Sequence, residues 1–244
     1  MRAGVPRDRL VVVLITSRPL DEYCALFGLS RTALRALDGP VLDCPGGAAA
    51  LVAEARELGC TVLAADPVYA RPAAELLDRA ERARGAMAVA MATAPHRYQP
   101  ARYRPYERYL RSWDRARRLF AADRAAHPAD YVAAALPALP FADGSFALTL
   151  SSYLLFAYPE LFPPAAQLAA LAELVRVTDR AGTVLVHPLH DALGRRSPHL
   201  PQLREALGRR GISSELRMHR VPGDGRRRFV LALTRPPRYR PCHD

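Results

Sequence analysis

Between Val41 and Asp66 the chain reads V-L-D-C-P-G-G-A-A-A-L-V-A-E-A-R-E-L-G-C-T-V-L-A-A-D, and no other stretch restricts the fold as much. A short apolar strand around Val41 and Leu42 runs into a glycine-containing turn. An alanine-rich segment, 48–58, follows with helical character and stops at Gly59. A second apolar run, 61–65, is closed by Asp66 and Pro67. Strand, turn, helix and strand in that order form a βαβ unit, whose two strands are parallel and whose crossover is right-handed. Such a unit buries both faces of its sheet, so helices are expected on either side.

The remaining segments extend this pattern. Residues 17–37 suggest a helix, with Pro19 near its start, Asp21 and Glu22 in the first turn, and Gly39-Pro40 as its stop. From Pro72 to about Ala126 the chain is helical and loses strand character. Strand signals return at 131–135 and 146–151, separated by the turn residues Asp143 and Gly144. A helix at 165–177, a strand at 183–188 and a helix at 200–210 come next. Residues 212–219 and 228–234 read as strands around P-G-D-G, an antiparallel hairpin. The expected fold is α/β: a doubly wound, mostly parallel seven-stranded sheet, Rossmann-like, with an antiparallel edge hairpin and a helical insertion. At 244 residues one domain, 1–244, is favoured, with an N-terminal cap helix over 17–38 and a helical lid over 84–126.

All 35 basic residues are arginine, and the formal charge is +11. Lysine-free composition fits codon drift in a GC-rich, bacterial genome, which would leave the charge as solvated surface. It also fits a surface that attracts carboxylates or phosphates, to which guanidinium groups present paired donors. The four cysteines, Cys24, Cys44, Cys60 and Cys242, have no C-x-x-C spacing, so neither a metal site nor a disulfide framework is indicated. No apolar run approaches the length of a membrane span, and a cytoplasmic, non-membrane protein is expected.

In an open parallel sheet the ligand lies beyond the carboxyl ends of the strands, where the strand order reverses. That directs attention to Asp43, Cys44, Gly46 and Gly47 after the first strand, Asp66 and Pro67 after the second, Leu136 after the third and Ser151 at the fourth. Small residues where a helix begins allow a ligand to meet free backbone N–H groups. Asp66, 23 residues after Asp43, can accept hydrogen bonds from both hydroxyls of an adenosine ribose.

Three blocks then carry a family resemblance: V-L-D-C-P-G-G-A-A at the first turn, L-P-F-A-D-G-S-F-A-L-T-L-S-S-Y-L-L-F at the third and fourth strands, and L-A-E-L-V-R-V-T-D-R-A-G-T-V-L-V-H-P-L at the fifth. Over 17–234 the chain resembles the class I S-adenosylmethionine-dependent methyltransferases. Its opening S-R-P-L-D-E-Y together with D-C-P-G-G is similar to a group of uncharacterised bacterial members. The resemblance implies S-adenosylmethionine as cofactor and places Tyr23 near the cofactor's amino-acid end. Departures are visible too: Pro45 and Ala49 stand where the family's turn has glycines, Ala135 where many members carry an acid, and Ala147 where Asp is usual.

Tyr153 and Tyr158, beyond the fourth strand, are the side chains expected to border the reactive methyl group. His187 and His190, at and after the end of the fifth strand, are candidate bases or substrate contacts. The expected catalytic pair is Tyr153 and His187. The lid interleaves tyrosine and arginine, Tyr98, Tyr103, Tyr106 and Tyr109 with Arg97, Arg102, Arg104, Arg108 and Arg111, a composition suited to planar and anionic ligands. Tyr106, Arg111 and Tyr158 are the expected substrate contacts. A small acceptor, acidic or aromatic, is favoured over nucleic acid, because S-S-Y-L stands where base-modifying enzymes carry an Asx-Pro-Pro-aromatic tetrad. Three other readings stay open: a non-catalytic binder of the same cofactor with a regulatory or assembly role, a nucleic-acid-binding or modifying protein, and a dinucleotide binder.

Overall fold

The computed structural model describes residues 13–93, 106–221 and 227–236. Seven strands form one sheet: β1 Val41–Asp43, β2 Val62–Ala65, β3 Tyr131–Val132, β4 Phe146–Ser152, β5 Thr178–His187, β6 Ser213–Arg220 and β7 Arg227–Thr234. Their order is β3-β2-β1-β4-β5-β7-β6. The first five strands pair in parallel and follow the Rossmann order, while β7 inserts antiparallel beside β5 and β6 closes the edge. This is the doubly wound sheet with an edge hairpin that the sequence leads one to expect. The order reverses between β1 and β4, and the cleft of such a sheet opens there.

Alternation along β1 shows how the layers form. Val41 packs into one apolar cluster with Leu20, Leu51, Val62 and Phe120, and Leu42 packs into a second with Leu171, Leu174, Val184 and Leu207. Successive side chains of a strand point to opposite faces, so each cluster is one face of the sheet. The first is covered by α1 (Leu20–Phe27), α3 (Leu51–Arg56) and α5 (Tyr106–Ala126). The second is covered by α6 (Pro164–Val177) and α7 (Leu200–Arg209). Helix α4 (Ala73–Thr93) packs along α5, and together they form the insertion. Position 84 falls in the middle of α4, so no boundary separates a lid from the helix that precedes it there.

Three elements differ from the sequence reading. The expected helix over 17–37 is two helices, α1 and α2 (Arg31–Arg35), because Gly28 takes a left-handed conformation and Ser30 caps α2 by accepting from the Ala33 N–H. A β-carbon on Gly28 would stand 3.0 Å from the His219 ring, so close packing against β6 also requires glycine. β3 holds two residues instead of five: its partner β2 ends at Ala65, opposite Val132, and the ladder has nothing further to pair with. β5 begins at Thr178, directly after α6, five residues before the expected start. A register shift between Phe146 and Leu148 absorbs the irregular segment, and a β-carbon on Gly182 would stand 2.7 Å from the Ala147 carbonyl oxygen.

Candidate functional site

The turn after β1 is closed by the chain itself. Of its backbone N–H groups, Gly46 donates to Ala65 O, Ala48 to Thr16 O, Ala49 to Gly46 O and Ala50 to Arg18 O. Gly47 N–H donates to Asp66 Oδ2 at 2.9 Å. The expectation of free N–H groups facing a ligand is therefore corrected: residues 16–18 lie across the turn and take two of them, and Ala65, Asp66 and Gly46 take the others. The glycines serve the same packing. A β-carbon on Gly46 would collide with the Tyr69 hydroxyl and with Ala64 Cβ, and Gly47, at φ +55°, lies against Thr16 O.

Asp43 ends β1 and is 1% exposed. The Tyr23 hydroxyl donates to its Oδ2 at 2.7 Å, while its Oδ1 has no partner among the described residues. Burial pushes the Asp43 carboxyl up to about 8, against the pull of the Tyr23 hydrogen bond, so at neutral pH it is mostly protonated. Asp66 ends β2. Its two oxygens accept from Val68 N and Gly47 N, both at 2.9 Å. Each oxygen has a second lone pair, so the carboxylate can still receive two donors from a ligand. Burial raises its pKa, and the two N–H groups oppose that shift.

Over the carboxyl ends of β1, β2, β4 and β5 opens a cavity of about 1740 Å³. Cys44, Gly47, Asp66, Pro67 and Leu136 line it, together with Tyr153, Tyr158 and His187. Tyr23, Asp43, Gly46 and Ser151 lie beneath this lining; Tyr23 and Asp43 are buried against each other, and Ser151 Oγ is buried without a partner among the described residues. A ligand cavity of about 300 to 1,000 Å³ holds one drug-sized molecule. The volume here exceeds what one such molecule fills.

Tyr153 follows β4 in a left-handed conformation, φ 52°, which bulky residues rarely adopt and which turns its ring into the cavity wall. His187 ends β5 and packs edge-on to Tyr153 with ring centroids 5.7 Å apart. Its Nδ1 lies 3.0 Å from Phe229 O; a carbonyl only accepts, so Nδ1 carries the hydrogen and Nε2 the lone pair. Burial lowers the His187 pKa to about 4, so it is neutral at physiological pH and acts as an acceptor. The Tyr158 hydroxyl accepts from Leu14 N at 3.0 Å, which ties residues after β4 to the strap over the turn. His190, whose Nδ1 lies 2.9 Å from Asp191 O, also lines the cavity.

One cluster has no counterpart in the sequence reading. Glu22 accepts from Arg18 Nε at 2.9 Å, from the Tyr109 hydroxyl at 2.9 Å and from Trp113 Nε1 at 3.1 Å. The Arg18 guanidinium also donates to Thr16 Oγ1, and its carbon stands 4.0 Å from the centre of the Tyr153 ring. The cluster thus joins α1, α5 and the tip of β4. Its only sequence signal is the i,i+4 spacing of Arg18 and Glu22.

Not every expected contact meets the cavity. Arg111 is exposed on α5 and pairs with Glu107 at 3.5 Å, and neither it nor Tyr106 lines the cavity. The buried stripe of α5 runs instead through Leu110, Trp113, Ala116 and Phe120. Tyr98, Tyr103, Arg97, Arg102 and Arg104 lie outside the described residues. Among the described residues no group of three or more His, Cys, Asp or Glu could hold a metal ion, and no helix is long and apolar enough to cross a membrane.

No family model matches the chain, and no curated protein matches it. Among solved structures it is similar to the 1,6-didemethyltoxoflavin-N1-methyltransferase of Burkholderia thailandensis, with bound 1,6-didemethyltoxoflavin and S-adenosylhomocysteine, at 17% identity and a TM-score of 0.47 over 85% of this chain and 76% of that one. A SAM-dependent methyltransferase from Aquifex aeolicus is similar at 14% identity and a TM-score of 0.42, over 87% of this chain and 90% of that one. The magnesium protoporphyrin IX methyltransferase of Synechocystis, with bound SAM, is similar at 13% identity and a TM-score of 0.43, over 84% and 73%. Likeness at this level decides nothing about the ligand of this chain.

Proposed function

We propose that the protein is an S-adenosylmethionine-dependent methyltransferase acting on a small acidic or aromatic acceptor. The observation that carries this reading is the cavity at the switch point of the sheet, floored by Asp66 and by the β1 turn, with room for a nucleoside and a second ligand. The residues present fit the cofactor. Asp66 keeps two free lone pairs for the ribose hydroxyls, and its charge disfavours a ribose bearing a 2′-phosphate. Leu136 and Pro67 offer apolar walls for a planar base.

When bound, the cofactor supplies an electrophilic methyl group. The protein's contribution is then to hold an acceptor atom in line with that group and to exclude water. Tyr153 borders the space between the β1 turn and β5, with its ring fixed by Arg18 and by the edge of His187. His187 Nε2 can accept a hydrogen bond from an acceptor hydroxyl or amine. Its lowered pKa makes it a positioning acceptor more than a strong base. An acceptor already carrying an available lone pair, such as a carboxylate, phenolate or aromatic amine, suits such a site.

Calorimetric titration with S-adenosylmethionine, S-adenosylhomocysteine and NAD tests the reading. Saturable heat with the first two and none with NAD is expected. A folded protein that binds neither sulfur nucleoside overturns it, and tight NAD binding would favour the dinucleotide alternative.

A further inference from the structure

Arg18 is 4% exposed, yet it lines the cavity. Of its five N–H donors, one goes to Glu22 Oε1 and one to Thr16 Oγ1; no other acceptor among the described residues takes a hydrogen bond from it. Three of its N–H donors are thus left over at a side chain that lines the cavity. The guanidinium plane is fixed over the Tyr153 ring at 4.0 Å and near the Trp113 ring at 5.6 Å, which leaves it little freedom to turn away. Its positive charge is felt by Asp43 at the end of β1 and by His187 at the end of β5. It therefore sits above the reversal of strand order, where the ligand is expected.

The same strap that brings Arg18 there has taken two of the backbone donors an anion would otherwise use. Every N–H from Gly46 to Ala50 is satisfied internally, two of them by the carbonyls of Thr16 and Arg18. An anionic group entering this end of the cavity meets no free backbone N–H on the turn. It meets a buried, oriented guanidinium with donors to spare, and charge-assisted hydrogen bonds from such a group hold a carboxylate.

The geometry points to Arg18 as the receptor for a ligand carboxylate, in place of the β1 turn. The assignment rests on the proposed function for the identity of that ligand: the carboxylate belongs either to the amino-acid end of the cofactor or to the acceptor. Arg18 binds and orients it; no bond is made or broken at this residue.

The test compares binding of S-adenosylhomocysteine, its decarboxylated analogue and benzoate to the wild type, Arg18→Met and Arg18→Lys. If the cofactor supplies the carboxylate, the wild type prefers S-adenosylhomocysteine over the decarboxylated analogue by tenfold or more. Arg18→Met collapses that preference while its affinity for the analogue stays within threefold, which also reports that the variant is folded. Arg18→Lys recovers the preference only in part, because an ammonium lacks the planar fork. If the acceptor supplies the carboxylate, the adenosine ligands are insensitive to Arg18, and benzoate binds the wild type but not Arg18→Met. Neither preference nor benzoate binding depending on Arg18 overturns the assignment. If neither adenosine ligand binds the wild type, the proposed function fails, and benzoate binding alone decides for Arg18.

Discussion

Asp66 has two duties at the level of single residues. Its carboxylate caps the 3₁₀ turn Pro67–Ala70 through Val68 N and locks Gly47 N, while the residue also lines the cavity. Asp66→Asn keeps one carbonyl oxygen and so only part of the cap. We expect it to cost about 1 kcal/mol of stability in denaturant unfolding, and to weaken S-adenosylhomocysteine binding by more than tenfold in calorimetry. An unchanged affinity would place the ribose elsewhere. Asp43 and His187 make opposite contributions to the pH dependence of stability. Asp43 titrates near 8 when folded and near 3.8 when unfolded, so the folded state holds the extra proton and stability falls as pH rises between those values. His187 titrates near 4 folded and near 6.5 unfolded, so stability rises with pH across that window. The two offset each other up to about 6.5, and above it only the Asp43 contribution continues. The melting temperature of Asp43→Asn relative to the wild type should therefore climb between pH 6.5 and 8. A flat difference would show that Asp43 is ionised in its buried site.

Elements, taken in pairs, explain what holds the cavity's shape. The Glu22 carboxylate ties α1 to α5 through Tyr109 and Trp113, and to the strap through Arg18. Both charges are largely buried, Arg18 at 4% and Glu22 at 15% side-chain exposure. Removing one partner of such a pair leaves an uncompensated charge, at a cost of about 3 kcal/mol. Glu22→Ala should lower unfolding stability by that order, and Glu22→Gln, whose single amide oxygen keeps only part of these acceptor contacts, by less. Equal losses would mean that the charge opposite Arg18, and not the acceptor left for Tyr109 and Trp113, sets the cost. This cluster was hidden in the sequence because its members are 87 and 91 residues apart in the chain and share no periodicity. Strands β1, β2 and β4 were legible for the opposite reason: each is a short apolar run, and parallel pairing brings their carboxyl ends, with that of β5, to one edge. Asp43, Gly47, Asp66, Tyr153 and His187 meet because they sit at those ends. Arg111 was misplaced because composition does not say which side of a helix faces inward; on α5 the apolar residues Leu110, Trp113, Ala116 and Phe120 decide that.

For the molecule as a whole, sheet order and hairpin followed from alternating strands and helices, and the crossover rule left few other arrangements. The character of the β1 turn did not follow. A glycine pair read as an approach for a ligand proves to be packed from within, Gly46 against Tyr69 and Ala64 and Gly47 against Thr16, and only the fold shows which neighbour lies closest. The positive charge is likewise distributed in a way that composition conceals. Many arginines pair with acids one helical turn away, as in Arg79–Glu75, Arg82–Asp78 and Arg209–Glu205, and these exposed pairs contribute little to stability. Arg18 is different because it is buried at the strand ends with donors unspent. The central claim, an adenosine cofactor seated on Asp66 above the reversal of strand order, is tested most directly by a crystal structure of the protein with S-adenosylhomocysteine. The account predicts the nucleoside in the cavity with its ribose hydroxyls within hydrogen-bonding distance of the Asp66 carboxylate; a ribose bound away from Asp66, or a cavity left empty at saturating ligand, would contradict it.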